Sequence, residues 1–110
     1  MTDRLTTDEQ VLTTGVVVIT SGASQRLEEA REQPGEYAAE CLARHQRGDW
    51  GNVDHEDRLT NDEAVRTGYR VISSYAIDPN GDRKGWGENA LWIITEADRS
   101  ATTLLLAEEY

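Results

Sequence analysis

The sequence predicts an α+β domain: one N-terminal strand, two to three helices, then a three-stranded antiparallel meander, with the helices packed on one face of the sheet. Three observations carry this. Residues 13–20, TTGVVVIT, string four β-branched apolar residues together, which suits a strand better than so short a helix. Between residues 21 and 67 apolar positions recur at helical spacing, punctuated by Ser, Pro-Gly and Gly. After Gly68 the period changes to two.

Taken in order, residues 1–10 are polar and expected to fray, leaving 11–110 as a single domain. The run at 13–20 reads as a buried strand that stops at Ser21-Gly22. SGASQRLEEAREQ then begins a helix capped by Ser21 or Ser24, and its thin apolar face, Leu27 and Ala30, places it on the surface. Pro34-Gly35 ends it. Pro34 also suits the first turn of the next helix, where the N–H it lacks is not needed. In EYAAECLARH the residues Tyr37, Ala38, Cys41, Leu42 and His45 form an inward stripe, with Gly48 as the stop. A further helix within DHEDRLTNDEAVRTG has two candidate starts, Asp54 with Asp57 or the capping box of Thr60 with Glu63, and closes at Gly68.

In YRVISSYAID, Tyr69, Val71, Ser73, Tyr75 and Ile77 alternate with Arg70, Ile72, Ser74 and Ala76, the pattern of a half-buried strand. Pro79-Asn80-Gly81-Asp82 is a turn, which DRKGWGEN lengthens into an exposed loop. ALWIITE is apolar almost throughout and reads as a central strand; ADRS turns the chain, and ATTLLLAEEY returns antiparallel as the last strand. The pattern leaves open whether the first strand joins the meander at its edge or inside it.

Folding a chain of this size removes roughly 65% of its unfolded surface from water, enough for one core without staples. Cys41, the lone cysteine, has no internal disulfide partner, and no apolar run reaches the ~20 residues of a membrane span. MTDRLTTDEQ lacks the basic-then-apolar order of a secretory signal. A cytoplasmic setting is expected, with no membrane, metal or cofactor.

Charge excludes more. Against 21 acids stand 11 bases, ten arginines and Lys84, for a net charge of −10, and acids outnumber bases in every third of the chain. Nucleic-acid binding draws its free energy from counterions displaced by Lys and Arg, so a field of this sign opposes direct contact with DNA or RNA. Two readings of the acidity stay open. One is an acidic structural protein of a salt-adapted organism, poor in lysine and without phenylalanine. The other is a surface that imitates a nucleic-acid backbone and fills the basic groove of another protein.

The densest cluster of chemistry-bearing residues is RHQRGDWGNVDHED, residues 44–57. His45, Asp49, Asp54, His55, Glu56 and Asp57 are residue types that hold divalent metals or act as acid/base pairs. Neither H-E-x-x-H, C-x-x-C nor a D-x-D-x-D-G loop is present, however. The simpler account is a capped connection: Gly48 left-handed, Asp49 bonded to nearby amides, Trp50 folded onto the core, Asp54 capping the next helix. His45 and Asp49 remain the candidate catalytic pair, against a reading of His45 as a satisfied core histidine. Asn61 sits on an inner helix face, where its amide must find a strand edge or a ligand. In WIITEADRSATT, Glu96, Asp98 and Arg99 with Arg70 from the adjoining strand form either an exposed ion-pair network or an anion clamp. Ser73 and Ser74 lack nucleophile-elbow glycines, and Cys41 is a packing thiol.

The blocks LARHQRGDWG, GYRVISSY, LWIITEADRSATTLLL and the terminal EEY, with Asn61 between them, resemble a group of small bacterial proteins often carried on plasmids and other mobile elements. The likeness covers about residues 37–110 and implies a mobile-element setting without implying an activity. Ala107 stands where the resembling sequences tend to have proline, and their DRKGWGEN connection is shorter. A weaker likeness is to RelE/ParE-type toxins, whose ribosome-directed members need a basic face that this chain lacks.

The function expected first is a non-enzymatic acidic binding module, a nucleic-acid mimic or inhibitor docking on a basic host protein, with Trp50, Asn61, Arg70, Glu96, Asp98 and Arg99 as binding candidates. The alternative is a small hydrolase or nuclease-like enzyme using His45 and Asp49, with Arg70 or Arg99 holding an anionic substrate. It requires those groups to converge. A homo-oligomer is the third possibility, built through an exposed apolar edge on the last strand.

Overall fold

The computed structural model describes residues 10–110, so the fraying expected at the N-terminus concerns residues outside the described part, Gln10 excepted. Strand β1 (Val16–Ile19) leads into helices α1 (Ser21–Ala30), α2 (Pro34–Gln46) and α3 (His55–Thr67), then into strands β2 (Val71–Ala76), β3 (Ala90–Thr95) and β4 (Ala101–Leu106). The four strands make one sheet in the order β1-β4-β3-β2. Strands β2, β3 and β4 pair antiparallel, whereas β1 runs parallel to β4, with Val16 opposite Ala101 and Ile19 opposite Leu104. The result is an α+β fold with three helices and a mixed sheet. A meander needs only short turns; β1 is separated from it by three helices, enough chain to bring a strand back parallel.

Local chemistry sets the helix ends. The hydroxyl of Thr20, the last extended residue of the strand, accepts from the Ala23 amide at 3.0 Å, so Thr20 caps α1 in place of Ser21 or Ser24. Helix α1 stops short of Pro34 because Arg31 turns extended and donates to the carbonyls of Ile77 and Ala76. Pro34 opens α2. Of the two starts open for α3, Asp54 is used: its carboxylate accepts from the Asp57 amide at 2.8 Å, and Gly68 closes the helix in the left-handed conformation.

The sheet register gathers Tyr75, Leu91, Ile93, Leu104 and Leu106 on one face, and Ala23, Leu27 and Cys41 complete that core from α1 and α2. Helix α1 lies on the surface as its thin apolar face predicts, with Glu28 and Glu29 exposed, while small Ala23 admits it closely to the sheet and Leu27 is fully buried. A second cluster, Leu12, Trp50, Ala64 and Val71, joins α3 to the outer end of β2.

Two expectations about edges are corrected. Strand β1 is an exposed edge, not a buried strand, because β-branched residues favour a pleated surface whether or not a neighbour covers it. The last strand has no free edge, since β4 lies between β1 and β3. No described helix is long and apolar enough to cross a membrane.

Candidate functional site

His45 is fully buried on α2, and its ring reaches two strands. Nδ1 lies 2.5 Å from the Ser73 hydroxyl and Nε2 2.8 Å from that of Thr95. Thr95 contacts the Thr102 hydroxyl at 2.7 Å, and Thr102 donates to the Thr14 carbonyl at 2.8 Å. A carbonyl only accepts, so the proton directions follow down the chain: Thr102 is spent on Thr14, Thr95 donates to Thr102, His45 donates from Nε2 to Thr95, and Ser73 donates to Nδ1. The ring is neutral. Burial first, and then the positive charge of Arg99, lower its pKa from 6.5 to about 4.

The acid/base pair expected of His45 and Asp49 does not form. Asp49 turns to the surface, where Arg44 grips both its oxygens at 2.8 and 3.2 Å. That pairing holds the carboxyl below the usual carboxylate range. Trp50 and Gly51 of the same stretch serve the fold. Trp50 sits edge-on to His45 with ring centroids 5.7 Å apart and donates to Asp62 at 2.9 Å. Gly51, at φ +76°, forms a parallel bridge to Ser74 where an added Cβ would stand 2.1 Å from the Ser74 carbonyl oxygen. Among the described residues no three His, Cys, Asp or Glu side chains gather as a metal would require.

The second block is likewise turned inward. Arg99, at φ +63°, donates to the carbonyls of Tyr69, Glu96 and Ala64, the last a carbonyl of the final turn of α3. Its guanidinium is spent on backbone, not on Glu96 or Asp98; Asp98 instead accepts from the amide and hydroxyl of Ser100. The two motif blocks meet at Ala64, which Trp50 packs against and Arg99 bonds. Asn61 spends its amide on the strand edge: Nδ2 donates to the Ile72 carbonyl at 2.7 Å and Oδ1 accepts from the Ile72 amide at 3.3 Å.

Arg70 stands apart from Arg99 and Asp98 and shares its surroundings with Asn61. With Ile72, Asp57, Thr60, Trp86 and Trp92 it lines a cavity of about 260 Å³ on the sheet face opposite the α1–α2 core. Its guanidinium bonds the Tyr110 hydroxyl, and the Tyr110 ring in turn stacks on Trp92 at 5.3 Å. Trp86 comes from the loop read as merely exposed. That loop is held by Asn89, which accepts from the Asp78 amide and donates to the carbonyls of Asp78 and Asp82. Gly85 passes so close to Asn52 that a Cβ would come within 2.4 Å, and the Ser74 hydroxyl donates to the Gly85 carbonyl. The tryptophan flanked by glycines in KGWGEN was the signal in the sequence for this wall. The cavity offers aromatic and aliphatic surface together with the Asp57 carboxylate and the Arg70 guanidinium.

Exposed acids line α3 and its cap, Asp54, Glu56, Asp57, Asp62 and Glu63, and a second set lies on the first two helices. Glu28, Glu29, Glu32, Glu36 and Glu40 are all exposed along α1, the bend and α2. The base among them, Arg31, is half-buried and turned onto the carbonyls of β2 and its end, with its guanidinium 3.4 Å from the centre of the Tyr37 ring.

No protein-family model matches this chain, and no curated protein or solved structure is similar to it. Among the described residues, the exposed glutamates of α1–α2 and the tryptophan-walled cavity are features open to a partner.

Proposed function

We propose that this protein is a non-enzymatic binding module whose glutamate face occupies the basic groove of another protein. The observation that carries the reading is the placement of Arg31: five exposed glutamates lie between residues 28 and 40, and the one base in that span is half-buried and turned onto backbone carbonyls. A face of this kind presents carboxylates to arginines and lysines as a phosphate backbone does, and long-range attraction speeds its encounter with such a groove. In the mobile-element setting implied by the resemblance of the GDWG and WIITEADRS blocks, the partner is a basic host protein such as a defence nuclease.

Binding to a purified basic nuclease, followed by calorimetry across a salt series, tests this. The affinity falls steeply as salt rises, and the chain shows no affinity for a duplex oligonucleotide under the same conditions. Tight binding to the bare duplex sinks the proposal.

A second reading, a ligand-binding role, is favoured by the Trp86–Trp92 cavity. Quenching of tryptophan fluorescence by planar aromatic compounds, lost in Trp86→Ala, supports it; no quenching by any of them removes it.

A further inference from the structure

The two edges of the sheet are finished differently. Along β2 the outward groups are taken: Ile72 by the Asn61 amide, Ser74 by the backbone of Trp50 and Asn52, and the Ala76 carbonyl by the Tyr37 hydroxyl and Arg31. At β1, Val16 donates to Ser100 and Thr20 to Leu104. Alternation along a strand then turns the N–H and C=O groups of Val17 and Ile19 outward, and among the described residues nothing is bonded to them. The side chains are open as well, with Val16 66%, Val17 41%, Val18 47% and Ile19 42% exposed. Natural edges are guarded by lysine, proline or a bulge. This one has none of these, and from Val11 to Ser24 no residue carries a charge, in a chain of which 29% of residues do.

We propose that β1 is a homodimer interface, in which two copies pair their β1 strands antiparallel about a two-fold axis through Val18. The register follows from the outward groups. Val17 exchanges both backbone hydrogen bonds with Ile19 of the second copy, and Ile19 with its Val17, so that every outward group of both strands is used. Val18 meets Val18 across the axis as a pair without hydrogen bonds. Beside the strand, Ala38, Ala39 and Leu42 of α2 form an apolar groove with Val17 and Ile19. Pairing sets the α2 helices of the two copies on either side of the four side chains and covers them.

Charge selects a second copy as the occupant. A basic partner of the kind the glutamate face suits finds no carboxylate along Val11–Ser24 to bind. Two copies of net charge −10 repel overall, but the strand itself carries no charge, and a strand pairing with itself is complementary by symmetry.

The test is sedimentation velocity on the full chain together with crosslinking. The mass is twice 12.3 kDa at micromolar concentration, and association strengthens as salt rises from about 50 to about 500 mM, because salt screens the repulsion between copies. Docking of the glutamate face weakens over the same range, so the two readings fail independently. Val18→Lys sets like charges face to face and weakens the dimer on the order of 100-fold, without reaching the core. Val18→Cys oxidises to a disulfide dimer, since Cα atoms about 4.5 Å apart in such a pair lie within disulfide range. Val16→Cys does not, its symmetry mate being roughly 13 Å away along the strand. A monomer at every concentration and salt, or equal crosslinking at positions 16 and 18, overturns the proposal.

Discussion

His45 donates its Nε2 proton to Thr95, and the direction of that bond is set two hydroxyls away, where Thr102 has the Thr14 carbonyl to bond. One buried line of hydrogen bonds thus ties α2 to β2, β3, β4 and the segment before β1. A neutral imidazole completes it; a protonated one demands that Ser73 reverse its hydroxyl, and it adds a charge where Arg99 already lends one.

Acid should weaken the fold through this residue. At pH above 6.5 His45 is neutral in both states and contributes fully. Between 6.5 and about 4 the unfolded chain takes up a proton that the folded chain refuses, so stability falls as pH falls, by up to about 3 kcal/mol. Below about 4 both states are protonated and the loss is complete. Urea unfolding at pH 7 and pH 4.5 measures it. His45→Gln lowers stability throughout but flattens the slope in that window; an unchanged slope in the variant would place the titration elsewhere.

Asn61→Ala should cost about 2 kcal/mol or more, because it strips partners from both the amide and the carbonyl of Ile72 at a covered strand edge. Hydrogen exchange locates the damage: the Ile72 amide loses protection while amides of β3 keep theirs. A uniform change across the sheet contradicts the assignment.

Leu27→Ala should cost about 2–5 kcal/mol, as for a large side chain removed from a packed core. Leu59→Ala, at a position 54% exposed, should stay within about 0.5 kcal/mol. Equal costs from guanidinium unfolding contradict the placement of α1 against the sheet.

The contrast at Leu27 also shows where the sequence was legible. Periodicity found the meander, because alternation in YRVISSYAID marks two unlike sheet faces and the unbroken apolar run of ALWIITE marks a strand covered on both. Turn chemistry offered Asp54 as one of two starts for α3, located the left-handed Gly48 and ended α3 at Gly68. What periodicity misses is which neighbour a face meets. The stripe read on α1 left out Ala23, which matters through its smallness, and the β-branched run of β1 carries no mark of being outermost. At the candidate sites, residue types showed where polar groups concentrate but not where they are spent. Arg99 goes to carbonyls, His45 to hydroxyls and Asn61 to a strand edge, all reached through tertiary contacts that local spacing does not encode. Trp86 and Trp92 converge from separate segments for the same reason.

Reversing the charge of the glutamate face is the most direct measurement of its role. Glu28, Glu29, Glu32, Glu36 and Glu40 are exposed, so replacing all five with lysine leaves the core intact. In a competition assay with labelled duplex DNA on a purified basic nuclease, the native chain should displace the DNA from the groove and the reversed chain should not. Displacement by the reversed chain as effective as that by the native one would contradict docking through this face.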